Sequence, residues 1–393
     1  MNTGLMKLHI IAPALPPTVD GIGSYSALLA AEIGQSATVT VLTATGADYD
    51  PIPSVRVVQA FDPRRRRSVK AIERIVTADS PDWIVLQFNQ FSYGRWGLNP
   101  YLPSTLLRVL RNNPSCRLAV MFHEDFVPPI SWKFKIMRQW QRRQFKLLGR
   151  AANVVFFSIE PWVRKYAGWF PGKQVLHLPV GSNITRVPVN REEMRRSLNI
   201  FPQELMLGVF GSVSAARNGP WINAATGALR HIPGKKTLLY IGADGAALAS
   251  AMGLNLMAGV AERNMGCLPS DQVSRHLQVV DVFLSPFSDG VSTRRGSMMA
   301  ALQHGLPTVA TRGWATDDVL ATEHGRSIML ADANSLDEYG SLVTRLVSDK
   351  ELRSRIGNGA SAFYKREFAW PRIAERMMAA LAEHRATRRT LSR

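Results

Sequence analysis

The chain has 393 residues, 46% of them hydrophobic, and 48 Lys and Arg against 30 Asp and Glu give a formal net charge of +18. This length suits two or three ordinary domains, and the hydrophobic fraction excludes a disordered or low-complexity chain. The two cysteines, Cys116 and Cys267, are far apart and lack metal-ligand spacing, which excludes a disulfide framework and favours a reducing compartment. The positive charge predicts attraction to anionic surfaces or substrates.

The N-terminal apolar run is too short for a secretory signal, because Pro13, Pro16 and Pro17 interrupt it. No apolar run approaches the ~18 residues that a transmembrane helix needs. We therefore expect a cytoplasmic protein whose membrane contact, if there is any, is peripheral and on the inner face of the membrane.

In the first half of the chain, short β-branched runs alternate with amphipathic helical stretches. Strands are predicted at residues 8–12, 38–44, 83–88, 118–124, 154–158 and 175–180. This alternation predicts a parallel sheet with helices on both faces. The segment 178–190 then breaks the pattern with Pro, Gly and Asn, which is typical of a linker.

A second series of strands follows, at residues 205–211, 237–242, 281–287, 307–311 and 327–331. The chain is therefore expected to be α/β, with two Rossmann-like domains at 1–187 and 200–370. The last helical segment, from Pro371 onward, suits packing on either domain. Ligands of such sheets bind at the carboxyl ends of the strands and at helix N-termini, so we expect a site in the cleft between the two domains.

The first strand runs into a loop with Gly21 and Gly23, which would let the backbone approach a ligand before a helix that begins near Ser24. The full G-x-G-x-x-G spacing is missing, so the loop does not support a dinucleotide fingerprint. A tight strand-to-helix turn remains the alternative.

The second domain repeats this arrangement in VFGSVSAARNGPW, residues 209–221. A strand ends at Gly211, Ser212 follows it, and Arg217 and Asn218 precede a helix that begins near Pro220. A cation here would hold a phosphate beside free backbone amides.

The richest loop lies in DVFLSPFSDGVSTRRGSMMAALQHGLPTVAT, residues 281–311. Between a strand and a helix it carries Asp289, Gly290, Ser292, Thr293, Arg294, Arg295, Gly296 and Ser297. Hydroxyls, backbone amides and paired guanidinium groups at a helix N-terminus suit a diphosphate. The alternative is a capped helix with solvated arginines.

Together these segments resemble the retaining GT-B glycosyltransferases of family 4, and the resemblance spans nearly the whole chain. It is carried by DGIGSYSALLAAEI, MFHEDF, LPVGSN, FGSVSAARNG, DVFLSPF, HGLPTVAT and EFAWPRIAERM. It implies metal-independent transfer of a hexose-type sugar from a nucleotide diphosphate-sugar to a glycan or lipid-linked acceptor, in polysaccharide or glycoconjugate biosynthesis. It also implies that the helix at 371–390 packs back on the first, acceptor-binding domain, and that the second domain binds the donor.

One departure from the family pattern concerns its pair of glutamates. Anchored on Gly305-Leu306-Pro307, the two positions are Ser292 and Ala300, and neither is acidic. The resemblance places the second glutamate on the donor ribose and the first near the sugar and phosphate. Asp289 and Ser297 lie close enough in the sequence to substitute for these glutamates. Asp289 is therefore a candidate catalytic residue, together with His123.

The resemblance places His123, at the end of the predicted strand 118–124, beside the donor sugar. It implies hydrogen bonding to the sugar rather than obligatory proton abstraction. Glu124 and Asp125 are the candidates to orient the ring. Glu160, after strand 154–158, suits either an acceptor contact or a place in the core.

No metal or cofactor is expected; the nucleotide diphosphate-sugar is a substrate. The segment Asp48-Tyr49-Asp50 mimics the metal motif of the other glycosyltransferase fold, but it sits in an early loop of the wrong architecture. We interpret that match as chance.

The segment 131–150 predicts a helix with seven Lys and Arg and no acidic residue. At helical spacing, Trp132, Ile136, Trp140 and Leu147 share one side, whereas Lys135, Arg138, Arg142 and Lys146 lie on the other. Such a helix suits an anionic membrane interface. The alternative is a surface helix whose apolar side packs on the sheet.

Three other functions compete with a transferase. The loss of acidic residues at Ser292 and Ala300 suggests a binding protein that has lost catalysis. A sugar-nucleotide epimerase would share the fold and donor pocket but needs no acceptor. Net charge alone suggests nucleic-acid binding, but no nucleic-acid module is recognisable, so no nucleic-acid partner is expected.

Overall fold

Two parallel β-sheets organise the computed structural model, which describes residues 5–46, 48–212, 215–242 and 260–391, without the side chains of 215–217 and 385–391. The chain divides into two units. The first unit is Met1–Pro179 with Trp370–Arg393, and the second unit is Val180–Ala369.

The sheet of the first unit has seven strands in the order β3-β2-β1-β4-β5-β6-β7, all parallel. They are β1 Lys7–Ile11, β2 Thr38–Ala44, β3 Val55–Phe61, β4 Trp83–Phe88, β5 Arg117–Phe122, β6 Val154–Phe157 and β7 Gln174–His177. Every residue of β4 and β6 is buried, as expected for central strands covered on both faces.

Six α-helices and four short 3-10 turns belong to the described part of the first unit. The helices are α1 Gly21–Ile33, α2 Ala71–Asp79, α3 Tyr101–Asn112, α4 Trp132–Ala151, α5 Glu160–Tyr166 and α13 Trp370–Leu391. The turns are Arg66–Lys70, Gln90–Tyr93, Arg95–Gly97 and Ala167–Trp169. The final helix packs on α1, where the rings of Tyr25 and Trp370 meet edge to face at 5.4 Å.

The sheet of the second unit has six parallel strands in the order β10-β9-β8-β11-β12-β13. They are β8 Leu205–Phe210, β9 Lys236–Ile241, β10 Val260–Asn264, β11 Val282–Ser285, β12 Thr308–Arg312 and β13 Met329–Asp332. The helices described here are α6 Arg191–Ser197, α7 Ala215–Ala228, α8 Ser270–Leu277, α9 Gly296–Gln303, α10 Asp318–Ala321, α11 Leu336–Ser348 and α12 Lys350–Glu367. Apolar clusters on the two sheet faces form the core.

Two strands, β3 and β10, were absent from the sequence prediction. Both lie at the edge of their sheet, and both carry polar residues in VRVVQAF and VAERN. An edge strand is only partly covered, so its sequence lacks the continuous apolar run that identified the central strands.

Residues 180–187 lie in the second unit, whereas the sequence prediction assigned them to the first domain. The Val180 amide donates to the Thr293 carbonyl (3.0 Å), and the Ser182 amide donates to the Tyr364 hydroxyl (3.1 Å). These two hydrogen bonds of the backbone amides anchor the start of the linker to the second unit.

Candidate functional site

In the second unit, the carboxyl end of β8 meets the N-terminus of α9. Gly211 follows β8 with φ +100°, and a Cβ built on it would lie 3.5 Å from the Ser297 Cβ. The Tyr240 hydroxyl donates to the Gly211 carbonyl at 3.0 Å and holds this turn in place. Glycine at position 211 therefore permits the left-handed turn, whereas the distance to Ser297 is an ordinary contact that a Cβ would tolerate.

A cavity of about 230 Å³ opens at this edge of the sheet. Of the predicted donor residues it brings together Ser212, Asn218, Arg294, Arg295 and Ser297. The remaining lining residues are Val209, Phe210, Leu284, Ser285, Pro286, Phe287 and Gly296. Asn218 is buried, and its side-chain amide donates to the Pro286 carbonyl at 2.7 Å, which fixes the loop after β11.

The N-terminus of α9 forms one wall of the cavity. The N-cap residue of this helix is Arg295, whose side chain makes no capping hydrogen bond. Ser285 at the end of β11 also lines the cavity; its side chain is 3% exposed, and its hydroxyl has no hydrogen-bond partner within the described chain. Uncapped helix amides and an unsatisfied buried hydroxyl are the groups that an anionic ligand satisfies.

Asp289 binds both arginines of the loop. Its carboxylate lies 3.1 Å from Arg294 and 2.9 Å from Arg295, and the Arg295 guanidinium also lies over the Phe287 ring at 4.2 Å from its centroid. All three charged side chains are about four-fifths buried. Two guanidinium groups and one carboxylate leave one net positive charge beside the cavity, which suits a phosphate group.

Other contacts of the same loop hold the triad of Asp289, Arg294 and Arg295 in place. Gly290 has φ +90°, and a Cβ there would lie 2.3 Å from the Gly313 nitrogen. The Thr293 amide donates to Asp317 at 2.6 Å. These contacts hold the arginines where β11 ends.

Gly290, Ser292 and Thr293 do not line the cavity, although the sequence suggested that they bind the donor. Ser292 and Thr293 are fully buried, and the loop conformation needs Gly290. Ala300, at the other family glutamate position, is fully buried among apolar side chains. The side chain of Arg217, a further predicted donor residue, lies outside the described residues.

In the first unit, Gly21 and Gly23 begin α1. Asp20 caps this helix by accepting from the Gly23 amide at 2.5 Å. A Cβ on Gly23 would lie 2.8 Å from the Ala14 carbonyl oxygen, whereas a Cβ on Gly21 would meet nothing within 4 Å. Only Gly23 is therefore required by close backbone packing.

His123 follows β5, and its ring is buried. Its Nε2 lies 2.7 Å from Gln87 Oε1, so Nε2 carries the proton and donates, which leaves Nδ1 as an acceptor. Burial lowers the pKa of His123 to about 3, so the imidazole is neutral near pH 7. Tyr25 packs against the His123 ring edge to face at 5.0 Å, and the Tyr25 hydroxyl has no hydrogen-bond partner among the described residues.

The carboxylates predicted to orient His123 do not do so; Gln87 takes that role. Asp125 instead accepts from the hydroxyl of Tyr166 and from Lys165 (2.8 Å), which ties its loop to α5. Glu124 is exposed. Sequence adjacency favoured the two acids, but their side chains leave the strand end in other directions.

Glu160 begins α5 and is half-buried, with Oε1 3.8 Å from His177 Nδ1. Burial is the main cause that lowers the pKa of His177 to about 4, with Arg376 adding to it. A neutral His177 makes this a polar contact rather than an ion pair. An acceptor role for Glu160 stays a prediction.

The tryptophan-bearing side of α4 is largely exposed, and Arg138, Arg142 and Lys146 of its charged side lie over the rings of Phe126 and Trp169. Trp132, Ile136 and Leu147 are 69%, 50% and 49% exposed. The buried side instead carries Gln141, Gln144, Phe145, Leu148 and Gly149. The stripe that the sequence identified therefore does not pack on the sheet, but α4 packs another apolar side there, with the Phe145 ring against Phe122 and Phe157, as the alternative of a surface helix implies.

Two negative findings hold for the part of the chain that the structure describes. It contains no group of three or more His, Cys, Asp or Glu side chains arranged to hold a metal ion. None of its helices combines the length and the apolarity that crossing a membrane requires.

Four residues of these sites were missed by the sequence prediction: Tyr25, Gln87, Ser285 and Phe287. A signal for two of them was present, because Gln87 and Ser285 are polar residues near the ends of otherwise apolar strands, WIVLQF and VFLS. A polar residue at the carboxyl end of a buried parallel strand points to the ligand-binding edge.

No protein-family model matches the chain, and no curated protein matches it either. Solved structures do match it. Sucrose-phosphate synthase from Thermosynechococcus elongatus is 16% identical with a TM-score of 0.70, covering 97% of this chain and 100% of that chain. HepE from Anabaena in complex with UDP-glucose is 16% identical with a TM-score of 0.66, covering 96% and 100%. WaaG, a glycosyltransferase involved in lipopolysaccharide biosynthesis, is 14% identical with a TM-score of 0.65, covering 95% and 98%. The predicted fold class, GT-B with two Rossmann-like domains, is confirmed.

Proposed function

We propose that the protein is a retaining glycosyltransferase that moves a sugar from a nucleotide diphosphate-sugar to a glycan or lipid-linked acceptor. The observation that carries this proposal is the cavity at the N-terminus of α9, where the Asp289–Arg294–Arg295 triad leaves one positive charge beside an uncapped helix. HepE, which shares the fold, was solved with UDP-glucose, which makes a uridine nucleotide the first donor to test.

The donor diphosphate binds the guanidinium groups of Arg294 and Arg295, the first amides of α9 and the hydroxyls of Ser285 and Ser297. As the glycosidic bond to the diphosphate breaks, negative charge grows on the leaving phosphate oxygen. Groups already positioned at that place stabilise it without reorganising, which is the usual source of rate enhancement in such sites. The arginine pair supplies the positive charge, so the transfer needs no metal ion.

His123 in the first unit contributes as a neutral hydrogen-bonding group. Its Nδ1 accepts from a sugar hydroxyl while Gln87 holds Nε2. A pKa of about 3 makes it a poor proton acceptor at neutral pH, which agrees with a hydrogen-bonding role rather than that of a general base.

The exposed side of α4 supports binding to an anionic membrane surface, the setting of a lipid-linked acceptor. Each Lys or Arg near such a surface contributes about 1 kcal/mol, and salt screens the attraction. We expect sedimentation with anionic but not neutral vesicles, with release as salt rises. Reversing Lys135, Arg138, Arg142 and Lys146 to Glu abolishes sedimentation and leaves nucleotide affinity intact. No sedimentation of the parent protein would exclude membrane association and favour a water-soluble acceptor.

A transfer assay tests the proposal. The protein is incubated with UDP-, GDP- and other nucleotide sugars, and sugar release is measured with and without an extract of lipid-linked and polysaccharide acceptors. A transferase turns over at least one donor and does so faster with its acceptor. Nucleotide binding without turnover would favour a catalytically inactive binding protein, for which Ala300 is the specific observation. Conversion of the donor to another nucleotide sugar without an acceptor would favour an epimerase.

A further inference from the structure

A second basic cavity lies in the first unit, beside the loop that ends β4. Its volume is about 510 Å³, and its lining is Pro63, Arg64, Arg66, Phe91, Gly94, Arg95 and Trp96. The lining combines three arginines and two large aromatic side chains with no acidic residue. Nothing in the proposed transfer reaction uses it.

The arginines of this cavity are not neutralised by neighbouring acids. Within the described ranges, no carboxylate lies within 4.0 Å of the guanidinium of Arg64, Arg66 or Arg95. The nearby Asp62 pairs with Arg65 at 3.6 Å and accepts from the Arg64 backbone amide at 2.8 Å. Arg95 instead stacks on the Trp96 ring, 4.9 Å from the ring centroid. Three uncompensated guanidinium groups around one cavity suit an anion with several oxygens, and their planar forks match phosphate.

Trp96 is held in a costly conformation. Its φ of +58° lies in the left-handed region, which disfavours a bulky residue. Side chains of α4 maintain this conformation: Trp140 Nε1 and Gln141 Nε2 donate to the Trp96 carbonyl at 3.1 and 3.3 Å, and Gln144 donates to the Gly97 carbonyl at 2.7 Å. The buried glutamines of α4 thus position this loop.

This conformation exposes the aromatic ring of Trp96 to solvent. A glycine at this position would avoid the backbone strain but would lose the ring. Trp96 is 59% exposed and Phe91 is 50% exposed. Aromatic side chains among the arginines that line the cavity fit a ligand with a charged head and an apolar remainder. A free phosphate would use the arginines but would leave the aromatic rings in water.

We propose that this cavity binds the phosphate headgroup of a membrane lipid, with Arg64, Arg66 and Arg95 on the phosphate oxygens and Trp96 and Phe91 in the interfacial layer. The site deepens the membrane association proposed for α4, on which it rests, and it is independent of the nucleotide site. The cavity would thus add recognition of a particular headgroup to the general attraction of the protein to negative surfaces.

The test compares two anionic vesicles matched in surface charge, one made with phosphatidic acid and one with a fatty acid in phosphatidylcholine. General charge attraction treats both alike, whereas arginine forks prefer the phosphate. We expect the parent protein to bind the phosphatidic acid vesicles about tenfold more tightly, which corresponds to one charge-assisted hydrogen bond.

The decisive variant is Arg64→Lys/Arg66→Lys/Arg95→Lys, which keeps the charge and removes the forks. We expect it to lose the preference for phosphatidic acid while its binding to the fatty-acid vesicles is unchanged. A matched control, Lys135→Gln/Arg142→Gln/Lys146→Gln on α4, should weaken binding to both vesicles equally and keep the preference. Equal binding of the parent to the two vesicles, or a retained preference in the lysine variant, would overturn the proposal.

Glycerol phosphate separates a lipid from a water-soluble ligand. If calorimetry shows it binding the parent as tightly as the vesicles do, the ligand is a free phosphate compound and the lipid assignment is wrong. Calorimetry with UDP is run on every variant and should give the parent affinity. If the parent protein shows no headgroup preference but binds UDP, only the proposal for this cavity is refuted. If the parent protein shows the preference but does not bind UDP, only the proposed transferase is refuted.

Discussion

The substitution His123→Asn tests the neutral, buried histidine beside Gln87. The ring is buried, and its Nε2 donates to Gln87 Oε1 at 2.7 Å, while Gln87 Nε2 has no hydrogen-bond partner among the described residues. Losing the ring leaves both ends of a buried amide unsatisfied and opens a gap beside Tyr25. We expect destabilisation of about 2–4 kcal/mol at pH 7.

The pH dependence of this effect follows from the lowered pKa. The folded pKa is about 3 against 6.5 for an unfolded histidine, so the unfolded chain binds more protons between these values. Stability from this group is fully present above pH 6.5 and is lost as the pH falls toward 3. At pH 5 the loss relative to pH 7 is about 2 kcal/mol. His123→Asn should therefore lie closer to the parent in stability at pH 5 than at pH 7.

The assay is urea unfolding at pH 7, 6 and 5, followed by tryptophan fluorescence, since seven of the nine tryptophans lie in the first unit. His9, His177 and His304 also have pKa values that burial lowers to about 4, so the parent has several acid-sensitive groups and only the difference between the two proteins isolates His123. A pH-independent difference would refute the buried neutral histidine. Separately, transfer by the folded variant should fall much more than nucleotide binding; turnover within about threefold of the parent, under ~1 kcal/mol of barrier, would make His123 purely structural.

Three further substitutions test the loops. Asp289→Asn removes the one negative charge of the triad and should tighten UDP binding by about 1 kcal/mol in calorimetry. Weaker binding would contradict the claim that the carboxylate repels the negatively charged nucleotide. Ser285→Ala removes an unsatisfied buried hydroxyl, so it should raise the free energy of unfolding by about 1 kcal/mol while lowering UDP affinity, and a less stable variant would show that the hydroxyl has a partner. Gly23→Ala places a Cβ 2.8 Å from the Ala14 carbonyl oxygen and should cost about 1–3 kcal/mol in urea unfolding, whereas the control Gly21→Ala should be neutral or stabilising; equal effects would refute the close packing.

The sequence predicted the central strands well because they are buried on both faces and therefore apolar throughout. β2 and β4 occupy the predicted residues, 38–44 and 83–88. The edge strands β3 and β10 escaped prediction because one side of each is unpaired and their sequences carry charged residues. Continuous apolar runs reflect burial, and most residues of these two strands are not fully buried.

The sequence identified the loops that form the candidate site, but it did not predict the side-chain contacts within them. Glycines, hydroxyls and arginines after strand ends identified the α9 loop, since helix N-termini bind anions. That Asp289 bridges Arg294 and Arg295, or that Gln87 rather than Asp125 holds His123, depends on side-chain directions at strand ends. Those directions are set by tertiary packing, which residue spacing does not encode. The burial of Ser292 and Ala300 likewise became visible only in the structure.

The central claim is that the α9 cavity binds the diphosphate of a nucleotide sugar, and calorimetric titration with UDP tests it most directly. The parent is compared with Arg294→Gln/Arg295→Gln and with the matched control Arg355→Gln/Lys365→Gln, which removes two exposed charges elsewhere in the second unit. Each charge-assisted bond contributes about 1.5–3 kcal/mol, so UDP affinity should fall by about 100-fold or more in the arginine variant and stay unchanged in the control. A folded arginine variant that binds UDP as tightly as the parent would contradict the claim.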